Sequence, residues 1–134
     1  ATLVDAFKGL PVANVSDCMA RMTSAGPRLR PMHHSGYLAG PALTVKCRPG
    51  DNLMIHAAIA MAKPGDVLVI DGKADQTSAL MGTIMMTACR QLGIAGVVMD
   101  GAVRDNLEID EMDFPVFSVL EHEYKFLHIQ GEVL

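Results

Sequence analysis

Tryptophan is absent from the 134 residues and aromatic side chains make up only 4% of them. Aliphatic side chains and ten methionines must therefore fill the interior. Three of those methionines, Met81, Met85 and Met86, fall on one segment, a spacing that suits a core or a subunit interface better than a cofactor box. Positive charge is also scarce. Eleven Lys and Arg against fifteen Asp and Glu give a formal charge of -4 without any basic run, which argues against a nucleic-acid groove, where cations gather on one face. Small anionic ligands held by local positive groups stay open. The three cysteines, Cys18, Cys47 and Cys89, lie far apart in apolar segments and make neither a CxxC pair nor a zinc spacing, so buried, reduced thiols are expected. No apolar run reaches membrane-spanning length. The opening Ala-Thr-Leu-Val-Asp lacks the basic-then-apolar layout of a signal peptide. A cytoplasmic protein with no membrane partner is the expectation. Half of the residues are hydrophobic, enough for one sizeable core and a single domain over residues 1–134.

Turn and strand signals alternate along the chain. Residues 2–8 have weak helical periodicity, and the candidate caps at Asn14, Ser16 and Asp17 predict a helix of two turns through Met22. The Pro-, Arg- and His-rich residues 27–40 read as loop, with Arg28, Arg30, His33 and His34 forming a modest cationic patch. Residues 43–47 read as a strand, closed by Pro49-Gly50-Asp51. Asp51 or Asn52 then caps a helix through Ala62 whose apolar composition predicts burial, with His56 as a hydrogen-bonded core residue. A second Pro64-Gly65-Asp66 turn leads into the buried strand Val67-Leu68-Val69-Ile70, ended by Asp71-Gly72. Strand, helix, strand at this spacing implies a right-handed parallel crossover. A helix is predicted from about Thr77 or Ala79 to Leu92, with Gly82 near its beginning, where an exposed amide suits a carboxylate or phosphate. Residues 114–119 give the last clear strand, with Pro115 at an edge or at its start. From Leu120 onward, Glu121-His122-Glu123 included, a polar surface tail is expected.

Chemistry concentrates at residues 96–108. Gly96-Val97-Val98-Met99 is a buried strand, Asp100-Gly101 a turn, and Arg104, Asp105 and Glu108 follow at the strand's carboxyl end. Ligands of open α/β sheets bind at that edge. A surface ion pair between Arg104 and Asp105, with Glu108 a solvated neighbour, is the plainer reading of the same residues.

Taken together, Gly40-Pro41-Ala42, Thr44-Val45-Lys46-Cys47, Pro49-Gly50-Asp51-Asn52, the Pro64 to Gly72 block and Gly-Val-Val-Met-Asp-Gly-Ala-Val-Arg-Asp at 96–105 resemble the RraA-like family. This family includes the 4-hydroxy-4-methyl-2-oxoglutarate aldolases and was formerly labelled demethylmenaquinone methyltransferase-like. The resemblance runs from about Val15 to Val119; residues 119–134 depart from the family pattern. It implies an α/β fold of the swivelling β/β/α type with largely parallel central strands. It also implies a homotrimer, or a multiple of one, with active sites shared between subunits.

The same resemblance implies a class II aldolase, dependent on Mg2+ or Mn2+, that cleaves a 4-hydroxy-2-oxo acid to pyruvate, with oxaloacetate decarboxylation permitted by the same enolate chemistry. By position, Arg104 matches the arginine that contacts substrate and Asp105 the metal ligand. Gly82, Thr83, Ile84 and Met85 match the segment that holds the pyruvate moiety. Glu108 matches the acidic residue that aldolase members carry beyond the Arg-Asp pair. Thr83 stands where many of those members have an acidic residue. The alternative is a non-catalytic, protein-binding regulator of ribonuclease activity.

Overall fold

Parallel pairing joins three β-branched segments at the centre of the computed structural model, which describes residues 2–121: β2 (Ala42–Lys46), β3 (Val67–Asp71) and β5 (Gly96–Val103). Their neighbours are β1 (Arg30–Pro31), β4 (Ala79–Met81) and β6 (Val116–Glu121). The sheet runs β1-β6-β5-β3-β2, with β4 pairing the end of β5, and only the β1–β6 pair is antiparallel. This is the mixed α/β architecture with mainly parallel strands that the strand-helix-strand spacing implied. Pro115 stands just before β6, as its missing N–H demands, and β6 itself is flanked by β1 and β5.

Alternation along the strands divides the sheet into two faces. Val45, Leu68, Ile70, Val97 and Met99 point to the buried one. There they join Ile55 of α3 (Leu53–Met61), Met86 and Cys89 of α4 (Thr83–Gln91), and Ile109 of α5 (Asn106–Glu111) in one core. The methionine stripe resolves accordingly: Met81 and Met86 are fully buried and Met85 packs against them, so the stripe is core and not a subunit surface. Cys47 and Cys89 are buried thiols, and burial pushes the Cys89 thiol up to about 11. Cys18 is exposed. The opposite face, with Thr44, Lys46, Val69, Asp71, Val98 and Asp100, opens on a hollow of about 460 Å³ crossed by Arg28. No helix among the described residues is long and apolar enough to cross a membrane.

Several elements depart from the sequence reading. The helix expected from caps at 14–17 through Met22 is instead α2 (Val12–Cys18), entered from Pro11 and ended where Ala20 and Arg21 take positive φ. Asp17 pairs with Arg21 at 2.7 Å on the surface. Residues 79–81 are strand, not helix, because pairing with β5 buries Leu80 and Met81 to 1% exposure and tertiary burial overrides local propensity. Asp100-Gly101 does not end β5. Partners on both flanks carry the strand on to Val103, and Ser118 Oγ donates to the Gly101 carbonyl at 2.9 Å.

Helix α3 is the largest correction. Only Ile55 and Ala58 are buried, and His56 is exposed instead of lying in the core. A helix apolar on all sides sits here in the outer layer, with its far side uncovered. The cationic patch at 28–34 is also tied down locally. Arg28 reaches Asp100 at 3.0 Å, His33 Nδ1 sits against the Val116 backbone, and His34 Nδ1 lies 2.9 Å from Asp110. The segment beyond residue 121, with the expected polar tail, lies outside the described residues.

Candidate active site

Parallel register brings two loops together. Met81 is the partner of Val103, so the residues that leave β4 and β5 next, Gly82-Thr83 and Arg104-Asp105, emerge side by side. The Arg104 N–H donates to the Met81 carbonyl at 3.1 Å and fixes their separation. The sequence placed Arg104 and Asp105 at a strand's carboxyl end, and that is where they stand, although the strand ends four residues later than the turn signal suggested.

Thr83 begins α4, so its N–H is one of the unpartnered donors of a helix start. Gly82 at the cap position has no side chain to accept it. Asp105 supplies the missing acceptor from the other loop: its Oδ2 accepts from the Thr83 N–H at 3.0 Å and from the Thr83 hydroxyl at 3.3 Å. The carboxylate also faces the positive end of the α4 dipole. Asp105 itself adopts the left-handed conformation, φ 65° and ψ 46°, which costs an L-residue on the order of 1–2 kcal/mol and is least unfavourable for Asp and Asn. The Asp105 carboxylate is thus held by contacts with a second element, across a strained turn.

The Arg104 side chain is half exposed and lies over Gly82, with its Nε 3.6 Å from Asp105 Oδ2. A methyl group on Gly82 would come within 2.6 Å of Asp105 Oδ2 and 2.8 Å of both Arg104 Cγ and Nε. Glycine is required here for close approach, since its φ of -141° is ordinary extended backbone. Gly82→Ala is expected to push both side chains off their positions, lowering stability by about 1–3 kcal/mol as an overpacked buried site and removing site function. Thermal unfolding alongside an activity assay checks this. A variant matching the parent in both would show that the glycine merely fills space.

Gly82, Ile84 and Met85 line a small cavity of about 90 Å³ with Arg104 and Asn52. Ile84 is 82% exposed. Glu108 stands in the first turn of α5, exposed, three residues beyond Asp105. Asn52 was read from the sequence only as a helix cap. Its side chain does not cap α3: Nδ2 donates to the Leu80 carbonyl at 3.1 Å and ties the start of α3 to the β4–α4 loop. Asp51 takes the local capping role by accepting from the Leu53 N–H at 2.9 Å. The adjacent pair of cap-forming residues was the available signal, since one local cap leaves the other side chain free to reach elsewhere.

Among the described residues, no three His, Cys, Asp or Glu side chains gather around one point. Mg2+ is commonly held by one or two carboxylates together with water and substrate oxygens, so a single carboxylate is compatible with it. Asp105 offers one partly exposed carboxylate beside Arg104, which lines the cavity.

A mixed α/β sheet with paired charged loops at its carboxyl edge defines a broad class of ligand-binding domains. Comparison narrows it: the profile of the RraA-like family, described as Aldolase/RraA, matches residues 12–132, and the chain belongs to that family. The match extends beyond Val119, where the sequence pattern was expected to lapse. A Halalkalibacterium halodurans protein named "Putative 4-hydroxy-4-methyl-2-oxoglutarate aldolase" is 39% identical over 83% of this chain and 53% of its own length. A Burkholderia multivorans protein of the same name is 37% identical over 74% of this chain and 60% of its own. The chain thus spans little more than half the length of these curated relatives. Among solved structures, a Geobacillus kaustophilus HTA426 protein named S-adenosylmethionine: 2-dimethylmenaquinone methyltransferase matches with a TM-score of 0.76 at 28% identity, covering 84% of this chain and 70% of that one. The RNA-processing inhibitor RraA from Thermus thermophilis shares the fold, with a TM-score of 0.75 at 24% identity over 84% of this chain and 68% of that one.

Proposed function

We propose that this domain is a carbon-carbon lyase, a class II pyruvate aldolase that cleaves a 4-hydroxy-2-oxo acid such as 4-hydroxy-4-methyl-2-oxoglutarate. The observation that carries the reading is the convergence of Arg104 and Asp105 on Gly82 and the start of α4. The names of the relatives agree with it. The proposed assembly is a homotrimer, or a multiple of one, with sites shared between subunits, and the proposed cofactor is Mg2+ or Mn2+ held by Asp105.

Cleavage of such an acid leaves the enolate of pyruvate, whose negative charge must be stabilised as the bond breaks. A bound divalent cation supplies Lewis acidity toward the substrate's carboxylate and keto oxygens. Arg104 presents a planar fork of donors to the same oxygens, and charge-assisted hydrogen bonds of this kind strengthen as charge develops. Of the backbone amides in the Gly82 to Met85 segment, that of Thr83 is already given to Asp105, and the others of the α4 start orient the carboxylate. Glu108, in the first turn of α5, is the proposed carboxylate that orients a water near the substrate's 4-hydroxyl. The same stabilised enolate permits oxaloacetate decarboxylation.

The test is pyruvate release from 4-hydroxy-4-methyl-2-oxoglutarate by the purified protein, with magnesium and with chelator. Metal-dependent release is expected. No release under either condition, together with binding to a ribonuclease, would replace the enzyme with a regulator.

A further inference from the structure

Asp105 occupies the N-cap position of α5, where an aspartate ordinarily accepts from the first amides of its own helix. Helix α1 (Leu3–Phe7) shows that local form, with the Thr2 side chain accepting from the Asp5 N–H. Asp105 makes no such bond to α5. A residue that caps its own helix is typically extended, whereas the left-handed backbone of Asp105 turns the carboxylate to the start of α4. Its two oxygens are then used unequally. Oδ2 accepts from the Thr83 N–H at 3.0 Å and from the Thr83 hydroxyl at 3.3 Å, and it is also the oxygen 3.6 Å from Arg104 Nε. Oδ1 accepts from none of the described residues, and the side chain is 39% exposed.

An ionised carboxylate has about four lone-pair sites, shared between its two oxygens. The two Thr83 donors take up those of Oδ2, so Asp105 has one oxygen to offer a cation and not two. That count bears on which cation is held. Ca2+ gathers many oxygen ligands in a flexible geometry and commonly takes both oxygens of one carboxylate, whereas the smaller Mg2+ demands near-ideal octahedral geometry and keeps several of its waters. The N–H half of the contact is backbone and would be present with almost any residue at position 83. The hydroxyl half is what threonine adds.

We propose that Thr83 sets the metal preference of the site: by holding Asp105 Oδ2 through its hydroxyl as well as its N–H, it restricts the carboxylate to one ligand oxygen and so favours Mg2+ or Mn2+ over Ca2+. This role rests on the reading of Asp105 as the metal donor and goes beyond it. A carboxylate in that place attracts any divalent cation, and discrimination requires that its second oxygen be closed. Thr83 is a positioning residue here, since it acts on the cation through Asp105.

The experiment compares the full chain with its Thr83→Val and Thr83→Ser variants. Valine keeps the β-branched shape and the N–H and removes only the hydroxyl; serine keeps the hydroxyl. Mg2+ and Ca2+ are titrated separately by calorimetry, and thermal unfolding is recorded without metal. The parent should prefer Mg2+. Thr83→Val should lower the ratio of Mg2+ to Ca2+ affinity by about 10-fold, the scale of losing a hydrogen bond to a metal-binding side chain, and Thr83→Ser should keep the parent ratio. A hydroxyl that served only to cap α4 would lower the melting temperature and weaken both cations alike, leaving the ratio where it was. An unchanged ratio in Thr83→Val, or a parent that binds both cations equally, overturns the role of Thr83 and leaves Asp105 as the metal donor. A parent that binds neither cation overturns the metal reading and this role with it.

Discussion

Asp105→Ala is expected to lose magnesium binding and turnover together, and to lose about 1 kcal/mol of stability from the missing helix cap. Two jobs meet in this one side chain. Its Oδ2 closes the start of α4 through the Thr83 N–H and hydroxyl, and the carboxylate is the proposed metal donor. Asp105→Asn separates them. An amide oxygen still accepts from Thr83, and Asn tolerates the left-handed backbone nearly as well as Asp, so the fold and much of the cap survive while the negative charge disappears. The expected result is a protein that melts within a degree or two of the parent but shows no heat of magnesium binding by titration calorimetry and no pyruvate release. Undiminished magnesium binding in folded Asp105→Asn would remove Asp105 as the ligand and leave it a purely structural cap.

How much of this was legible beforehand depends on the range of the forces involved. Strands at 43–47, 67–70 and 96–99 could be read because β-branched runs between Pro-Gly-Asp turns state their burial locally. Arg104 and Asp105 could be placed at a strand end for the same reason. The strand status of 79–81 could not be read, since it comes from pairing with β5 and from the burial of Leu80 and Met81. Without that pairing, Gly82 read as a glycine near a helix start with its amide exposed; with it, Gly82 is also the point that two charged side chains approach. Asn52 stayed hidden because its partner, the Leu80 carbonyl, is 28 residues away.

The error at α3 has a different origin. Apolar residues on every side of a helix state that it will be covered, but not by what. The sequence reading assumed the chain's own core, whereas the core takes only Ile55 and Ala58 and leaves His56, Ala57 and Ala60 outside. The methionine-rich segment, read as core or subunit interface, is core, with Met81 and Met86 in the interior. The cationic loop also spends its groups at home: Arg28 on Asp100, His33 on the Val116 backbone and His34 on Asp110.

Arg104→Lys is expected to lower kcat/KM for aldol cleavage by about 2–4 kcal/mol of transition-state stabilisation, roughly 30-fold to 1,000-fold, the scale of one lost donor at a developing oxyanion. The geometry explains why a conserved charge is insufficient. The arginine lies flat across Gly82, with Cγ and Nε both 2.8 Å from the point a methyl group would occupy, and its backbone N–H is anchored to the Met81 carbonyl. Its side chain also lines the cavity. Lysine carries the charge on a flexible stem as a single ammonium, which cannot reproduce two-point contact with a carboxylate and keto oxygen pair. Because the lost contact strengthens as the enolate forms, most of the effect should fall on kcat, with KM changing less. Oxaloacetate decarboxylation, which passes through the same enolate, should fall in parallel. A solvated surface arginine paired only with Asp105 predicts almost no change in either reaction. Measuring kcat and KM for both substrates in the parent and the lysine variant decides between them, and a variant that retains most of its activity on both removes Arg104 from the chemistry.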